Sequence, residues 1–438
     1  MKKTACSLLL CLTLSSASAQ THNFSVVDSL FDANRALFNG KVVCMLKHND
    51  TLIYYKEMGG IDSTSNGLIA SVSKTFAGIT ILKLAQEGLL TLDDSLGMYK
   101  PRATTLGKGA TTIRQNFSHT GGWFANTTFH ADNRLNLQQA VDSIIEYDPF
   151  IYIPGQKFKY SGVSMHTSGA IAEIVTGQDW NTIFSTSISS PLNLNNSFFC
   201  LGQNNPRIAG GMCSNPSDLM KLGDFIAKNG RNNLGVQVID SLWMSELWKD
   251  QTNRAPQLTG VYPYNPANNN PYNADTIYYG FGNWLDIYNP NTQYQEQISA
   301  DGAFGSVVWV NRCTNMTGVI FTKIPTRYTD VFPLWYQIMD VFRNSVPNTC
   351  SGVLDVDKIG KPTYNIYPNP SQGMIHIEGP KYTIRKIKIF SLSGQLLGEK
   401  YLTNDENTIS ISELADGFYV LKIETNKQAV FKKIVLRR

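Results

Sequence analysis

The run from Leu68 to Leu96 constrains this chain more than any other: L-I-A-S-V-S-K-T-F-A-G-I-T-I-L-K-L-A-Q-E-G-L-L-T-L-D-D-S-L. It reads as one helix with Phe76, Ile79, Leu82 and Leu84 inside it, apolar enough that the rest of the fold must enclose it. Ser71 and Lys74 stand at S-x-x-K spacing at its start. Residues three apart share a helix face, so a hydroxyl and an amine come within reach of each other. A lysine whose charge is disfavoured by burial can take the proton of such a serine and make it a nucleophile. Taken alone, the four residues fit a helix-capping serine with a solvated lysine better, because the pattern is short. The surroundings decide between the two.

The chain has 438 residues, enough for one large domain or two to three small ones. Lys2 and Lys3, the apolar run Ala5–Leu14 and Ala17-Ser18-Ala19 form a secretory signal peptide over 1–19, so Gln20 begins the mature chain. No later apolar run has the length to span a bilayer. From Tyr364 onward there are eleven Lys and Arg against seven Asp and Glu. The remainder, leader lysines aside, holds 25 basic and 27 acidic residues. A near-neutral body carries no electrostatic footprint for nucleic acid. Five cysteines survive removal of the leader, so at least one thiol is unpaired in an exported protein. Cys200 and Cys213 flank a Gly-rich turn and are the expected disulfide. There is no C-x-x-C or H-E-x-x-H, and six scattered histidines predict no metal site. No cofactor is expected.

In order, the pattern predicts a helix over 23–40, then a hairpin of 41–46 and 52–55 about His48-Asn49-Asp50. Helices follow at 138–148, 164–177, 180–188 and 216–227. Between the first two, P-G-Q-K-F-K-Y-S-G presents Tyr160 at the end of a loop. His119 lies on a turn beside Gly121-Gly122, where bracing a loop suits it better than catalysis, because no Asp stands near. Residues 250–278, rich in Asn, Pro and Tyr, read as one surface loop. Strands are expected from Tyr279, over 305–310 and over 317–322, and a closing helix over 332–342. Strands at both ends with helices between predict an α+β fold whose end strands meet in one sheet. After a linker (349–363), residues 364–438 show short strands at regular spacing, an all-β sandwich of Ig-like type.

Two family resemblances gather these features. Residues 23–345 resemble the serine hydrolases of the class C β-lactamase and penicillin-binding type, which include esterases and D-Ala-D-Ala peptidases. The motifs occur in the family's order: I-A-S-V-S-K-T-F, L-T-L-D-D-S-L, I-R-Q-N-F-S-H-T-G-G, P-G-Q-K-F-K-Y-S-G, S-P-L-N-L and A-G-G-M. The resemblance implies a β-lactamase/transpeptidase-like fold over 20–348, an antiparallel sheet with a helical domain. It implies Ser71 as nucleophile, Lys74 and Tyr160 as its proton acceptors, and backbone N–H groups of Ser71 and Ala303 as the oxyanion hole. Residues 364–438 resemble the C-terminal sorting domain of the type IX secretion system of Bacteroidetes, through Y-P-N-P, G-F-Y-V-L-K-I and K-K-I-V-L. That implies the type IX machinery as a partner and secretion to the cell surface or beyond, with a periplasmic location as the alternative.

The chain departs from the first pattern in two places. The family's Y-x-N is here Tyr160-Ser161-Gly162, which lacks the Asn that would bond the lysine and a substrate amide. The K-T-G or H-x-G of an edge strand has its counterpart at Ala300-Asp301-Gly302-Ala303, with no cation for a substrate carboxylate and an acid that would repel one. Gly162, Asp301 and Gly302 are therefore expected to shape substrate binding. Trp123 and Phe304 could wall an apolar pocket or simply pack in the core. The expectation is a secreted serine hydrolase, esterase-like, acting on a small or peptidoglycan-like acyl substrate. The alternatives are a β-lactamase or D-Ala-D-Ala carboxypeptidase, and a catalytically weak ligand-binding member.

Overall fold

The computed structural model describes residues 23–124, 128–256, 278–289, 294–324, 331–350, 364–378, 384–391, 395–401, 408–425 and 429–438. The expected signal peptide, most of the expected linker (349–363) and most of the loop expected over 250–278 lie outside these residues. The chain divides into two compact units, 1–352 and 353–438.

The first unit is built on a six-stranded antiparallel sheet. Its strands are β1 (Val42–His48), β2 (Thr51–Met58), β6 (Trp284–Asn289), β7 (Tyr294–Asp301), β8 (Val307–Asn311) and β9 (Met316–Thr322), in the order β2-β1-β9-β8-β7-β6. Three short strands, β3 (Gly67–Leu68), β4 (Phe198–Phe199) and β5 (Met212–Ser214), form a second sheet, ordered β3-β5-β4. The β1–β2 hairpin turns at Asn49 and Asp50, both with positive φ, the backbone that two-residue hairpin turns require. β1 pairs with β9 along its whole length, so the two ends of the unit meet in one sheet as expected.

Strands β8 and β9 are buried at every residue, because helices cover both faces of the sheet. One face packs against α1 (Ser25–Ala33) and α7 (Phe332–Asn344), through Val27, Phe31, Trp309, Trp335 and Phe342. The other packs against α2 (Ser73–Gln86) and α6 (Pro216–Ala227), through Phe76, Ile79, Leu222, Ala300, Val308 and Val319. Beyond α2 lies a helical layer of α3 (Ile113–Phe117), α4 (Leu137–Tyr147) and α5 (Val163–Thr176). Reciprocal capping boxes, Thr112 with Gln115 and Asn136 with Gln139, start α3 and α4.

The structure differs from the sequence reading in three places. The expected helix over 23–40 stops at Ala33; a 3-10 turn, Arg35–Phe38, follows and ends at Asn39 in the left-handed region. The strand expected from Tyr279 begins at Trp284. Before it, Gly282 at φ +90 brings the backbone so close to α2 that a Cβ there would lie 2.6 Å from the Lys74 carbonyl oxygen. β7 was not among the strands expected along the chain, although its end, Ala300-Asp301, was matched to an edge-strand motif. Cys200–Cys213 forms as expected, and a second disulfide, Cys313–Cys350, joins it. Among the described residues the unpaired thiol is Cys44, buried in β1.

In the second unit, two antiparallel sheets enclose an Ile- and Leu-rich core that includes Ile375, Ile387, Leu421 and Ile434. Its strands can alternate exposed and buried residues, as Met374–Glu378 does in the middle of the three-stranded sheet.

Candidate active site

The nucleophile turn is built from its neighbours. Ala70, Ser71 and Val72 form one 3-10 turn leading into α2. Ala70 has φ +44, a strained backbone for a residue with a Cβ. Two attachments hold it. Ile69 N–H bonds to the Met212 carbonyl at 2.9 Å. The buried Ser73 hydroxyl donates to the Ala70 carbonyl at 2.5 Å and accepts from Met212 N–H at 3.1 Å. Ser73 therefore ties the turn to β5, and the hydroxyl of Ser71 is left for other work. Ser71 is half-buried, so its Oγ is within reach of a substrate.

Lys74 is 3% exposed. Its Nζ donates to Ser71 Oγ at 3.0 Å and to the Ala209 carbonyl at 2.7 Å, and lies 4.6 Å from the centroid of the Tyr160 ring. The three residues expected to act together thus stand around one point. Ala209 opens the A-G-G-M motif, but its part as the lysine's carbonyl acceptor was not expected from the sequence. The turn that presents it is fastened by Gly210 and Gly211 N–H bonds to the Arg207 carbonyl and straddled by Cys200–Cys213.

Tyr160 ends an extended segment laid against the His119 turn. Gly155 N–H bonds to the Thr120 carbonyl and Lys159 N–H to that of His119, each at 2.8 Å. Ser161 N–H donates to His119 Nδ1 at 3.2 Å. The Tyr160 ring stacks on Trp284 at 5.4 Å with planes 10° apart, and meets the His119 ring at 4.3 Å. Burial, with Lys74 nearby, pushes His119 well below the usual histidine range, so it stays neutral, with its proton on Nε2. That Nε2 has no partner among the described residues.

The other expected residues fall as follows. Gly162 immediately precedes α5, and a Cβ there would come 3.4 Å from that of Ala209. Gly302 closes on the nucleophile turn: a Cβ would lie 2.2 Å from the Ile69 carbonyl oxygen. Ala303, half-buried, follows it in the tight β7–β8 loop closed by the Gly302 N–H bond to the Ser306 carbonyl at 2.7 Å. Asp301 departs from expectation. Neighbouring residues of a strand face opposite ways; Ala300 packs with the α2 side of the sheet, and the Asp301 carboxylate accepts from Tyr336 of α7 at 2.9 Å on the other. It is not a charge presented to a substrate. Burial pushes it up to about 6, and burial together with the Asp301 charge pushes Asp286 well above the carboxylate range. Trp123 is 1% exposed and donates to Asn116 Oδ1 at 3.2 Å. It is core, and the aromatic wall beside Tyr160 is Trp284, Tyr279 and Phe158 instead.

Residues 41–342 match the Beta-lactamase family model, and residues 365–437 match the secretion system C-terminal sorting domain. Protein flp of Staphylococcus aureus (strain N315) is 33% identical over 136 residues, 30% of this chain and 27% of that protein. The chain thus spans about a quarter of the length of such curated relatives. Esterase EstB of Burkholderia gladioli is 24% identical over 209 residues, 42% of this chain and 52% of the esterase. The solved structure of a family VIII carboxylesterase superposes with a TM-score of 0.58 at 16% identity, covering 74% of this chain and 97% of that one, which is a likeness of fold.

Proposed function

The chain belongs to the beta-lactamase family, and from that premise we propose that it is an exported serine hydrolase that cleaves an ester, or an amide, through an acyl-enzyme on Ser71. The observation that carries this reading is the placement of Lys74 Nζ, 3.0 Å from Ser71 Oγ and beside the Tyr160 ring. Ser71 Oγ attacks the carbonyl carbon, and its proton passes to the Lys74–Tyr160 pair. Backbone N–H groups of Ser71 and Ala303 receive the oxyanion; one such donor is worth about 10²–10³ in rate. The alcohol or amine leaves with a proton from the pair. Water then attacks the acyl carbon, deprotonated by the same pair, and Ser71 is restored.

The esterase-like reading draws support from the third motif, where Ala300 and Asp301 offer no cation for a substrate carboxylate, and from the likeness to EstB. The C-terminal unit serves export: residues 365–437 hand the protein to the type IX machinery, after a signal peptide has taken it to the periplasm, and the hydrolase works at or beyond the cell surface.

The test is turnover of a short-chain nitrophenyl ester and of nitrocefin by the wild type and Ser71→Ala. We expect the wild type to hydrolyse the ester much faster than nitrocefin, and Ser71→Ala to lose about 10³-fold or more in kcat. Ester hydrolysis that survives in Ser71→Ala rejects the mechanism. Preference for nitrocefin leaves the mechanism standing and rejects the esterase reading.

A further inference from the structure

We infer that His119 is the positioning residue of this site, clamping Tyr160 from both sides of its backbone and across its ring; the inference rests on the acyl-enzyme reading above. Three contacts from one residue converge on Tyr160. The His119 carbonyl accepts the N–H of Lys159, the residue before it, at 2.8 Å. Its Nδ1 accepts the N–H of Ser161, the residue after it, at 3.2 Å. Its ring lies 4.3 Å from that of Tyr160.

The backbone of His119 makes this possible. Its φ of +60 is the left-handed conformation that side chains other than Asn, Asp and His seldom take, and it lets the carbonyl and the imidazole address the same strand. The carbonyl also takes the Tyr152 hydroxyl at 3.2 Å, which ties down the loop before Tyr160. Gly121 completes the turn: a Cβ there would lie 2.4 Å from Asn116 Oδ1. The imidazole is 1% exposed and stays neutral, so Nδ1 keeps its lone pair for Ser161, and no second cation stands beside Lys74.

The His119 ring also packs against Tyr279 at 4.8 Å and Phe158 at 5.7 Å, so what marks it out is where its hydrogen bonds fall. Here both flanking peptides of a single side chain are held, and that side chain is one of the two that share the nucleophile's proton. The clamp fixes where the Tyr160 ring lies against Lys74, and so acts on the chemical step.

The test uses the full chain and nitrophenyl ester kinetics on His119→Ala, His119→Asn, His119→Gln, Tyr160→Phe and the His119→Ala/Tyr160→Phe double variant, with folding checked by thermal unfolding. His119→Ala should lower kcat about tenfold or more with KM nearly unchanged. Asn, which sets an acceptor at the Nδ1 position and tolerates positive φ, should recover most of it; Gln, whose acceptor lies one carbon further out, should not. In the Tyr160→Phe background the His119→Ala change should cost less than about twofold, because residues acting as a unit are non-additive. Equal costs in both backgrounds, unchanged kcat in His119→Ala, or Asn as impaired as Gln would each overturn the clamp. If His119→Ala does not fold, the contrast between Asn and Gln decides. If Ser71→Ala retains activity, the acyl-enzyme reading falls and the clamp with it. If Ser71→Ala is inactive and His119→Ala behaves as wild type, only the clamp falls.

Discussion

Ser71 and Ser73 stand two residues apart and do different work. Ser73, fully buried, spends its hydroxyl on Ala70 and Met212, and Ser71 meets Lys74. The S-x-x-K spacing showed this pair in the sequence, because side-chain chemistry at a fixed helical interval leaves a readable pattern. The A-G-G-M motif did not reveal the role of Ala209, because what it gives the lysine is a backbone carbonyl, which any residue type could supply. Asp301 misled for a related reason. Its type suggested charge in a cleft, but strand alternation turns its carboxylate to Tyr336. That burial sets a pH dependence. An Asp ordinarily near 3.8 is pushed to about 6 in the fold, so the native state holds the proton more tightly. The stabilising contribution is full below about pH 4, declines as pH rises towards 6 and is absent above. Asp301→Asn should therefore unfold at higher urea than the wild type at pH 7.5, by about 1–3 kcal/mol, and show no gain near pH 4. A gain at pH 4 that vanishes at 7.5 contradicts the assignment.

Strand β7 ends on the first two third-motif residues, Ala300 and Asp301, and its sequence conceals it. Y-Q-E-Q-I-S-A-D lacks apolar alternation, and yet it is buried from Gln295 to Asp301. Several of its polar groups find buried partners: Gln295 Nε2 donates to the Gln297 carbonyl, and Gln297 Nε2 and Ser299 Oγ donate to Asp286. A buried strand built on polar pairs reads as a loop until its partners are known. Helix α2 was legible because apolar residues cover it on every side. What fixed its depth were glycines elsewhere in the chain, Gly282 against the Lys74 carbonyl and Gly302 against that of Ile69. Gly302→Ala should push β7 away from the nucleophile turn, costing about 1–3 kcal/mol in denaturant unfolding and a larger share of ester turnover than of stability. Unchanged unfolding and turnover would show that the turn does not lean on Gly302.

At the scale of the molecule, each unit has its own core. The first encloses two large clusters, one on each face of the sheet, and the small aromatic one beside Tyr160; the second has a separate Ile- and Leu-rich core. The regular strands of the second unit were legible because its short sheets alternate apolar and polar residues. The Cys313–Cys350 disulfide was not, since 37 residues separate its partners and sequence alone does not fix connectivity. It carries the covalent frame of the first unit to Cys350. A fragment of residues 20–350 should keep both disulfides and hydrolyse the nitrophenyl ester within about twofold of the longer chain, as an independently cored domain does; loss of turnover on removing 351–438 would mean that the second unit takes part in catalysis. The most direct measurement is the mass of the intact protein after reaction with a fluorophosphonate, with the modified peptide mapped and residual ester hydrolysis followed. The account predicts a single phosphonyl group on Ser71 and hydrolysis lost in step with labelling. An adduct on another residue, or hydrolysis that persists when Ser71 is fully labelled, contradicts it.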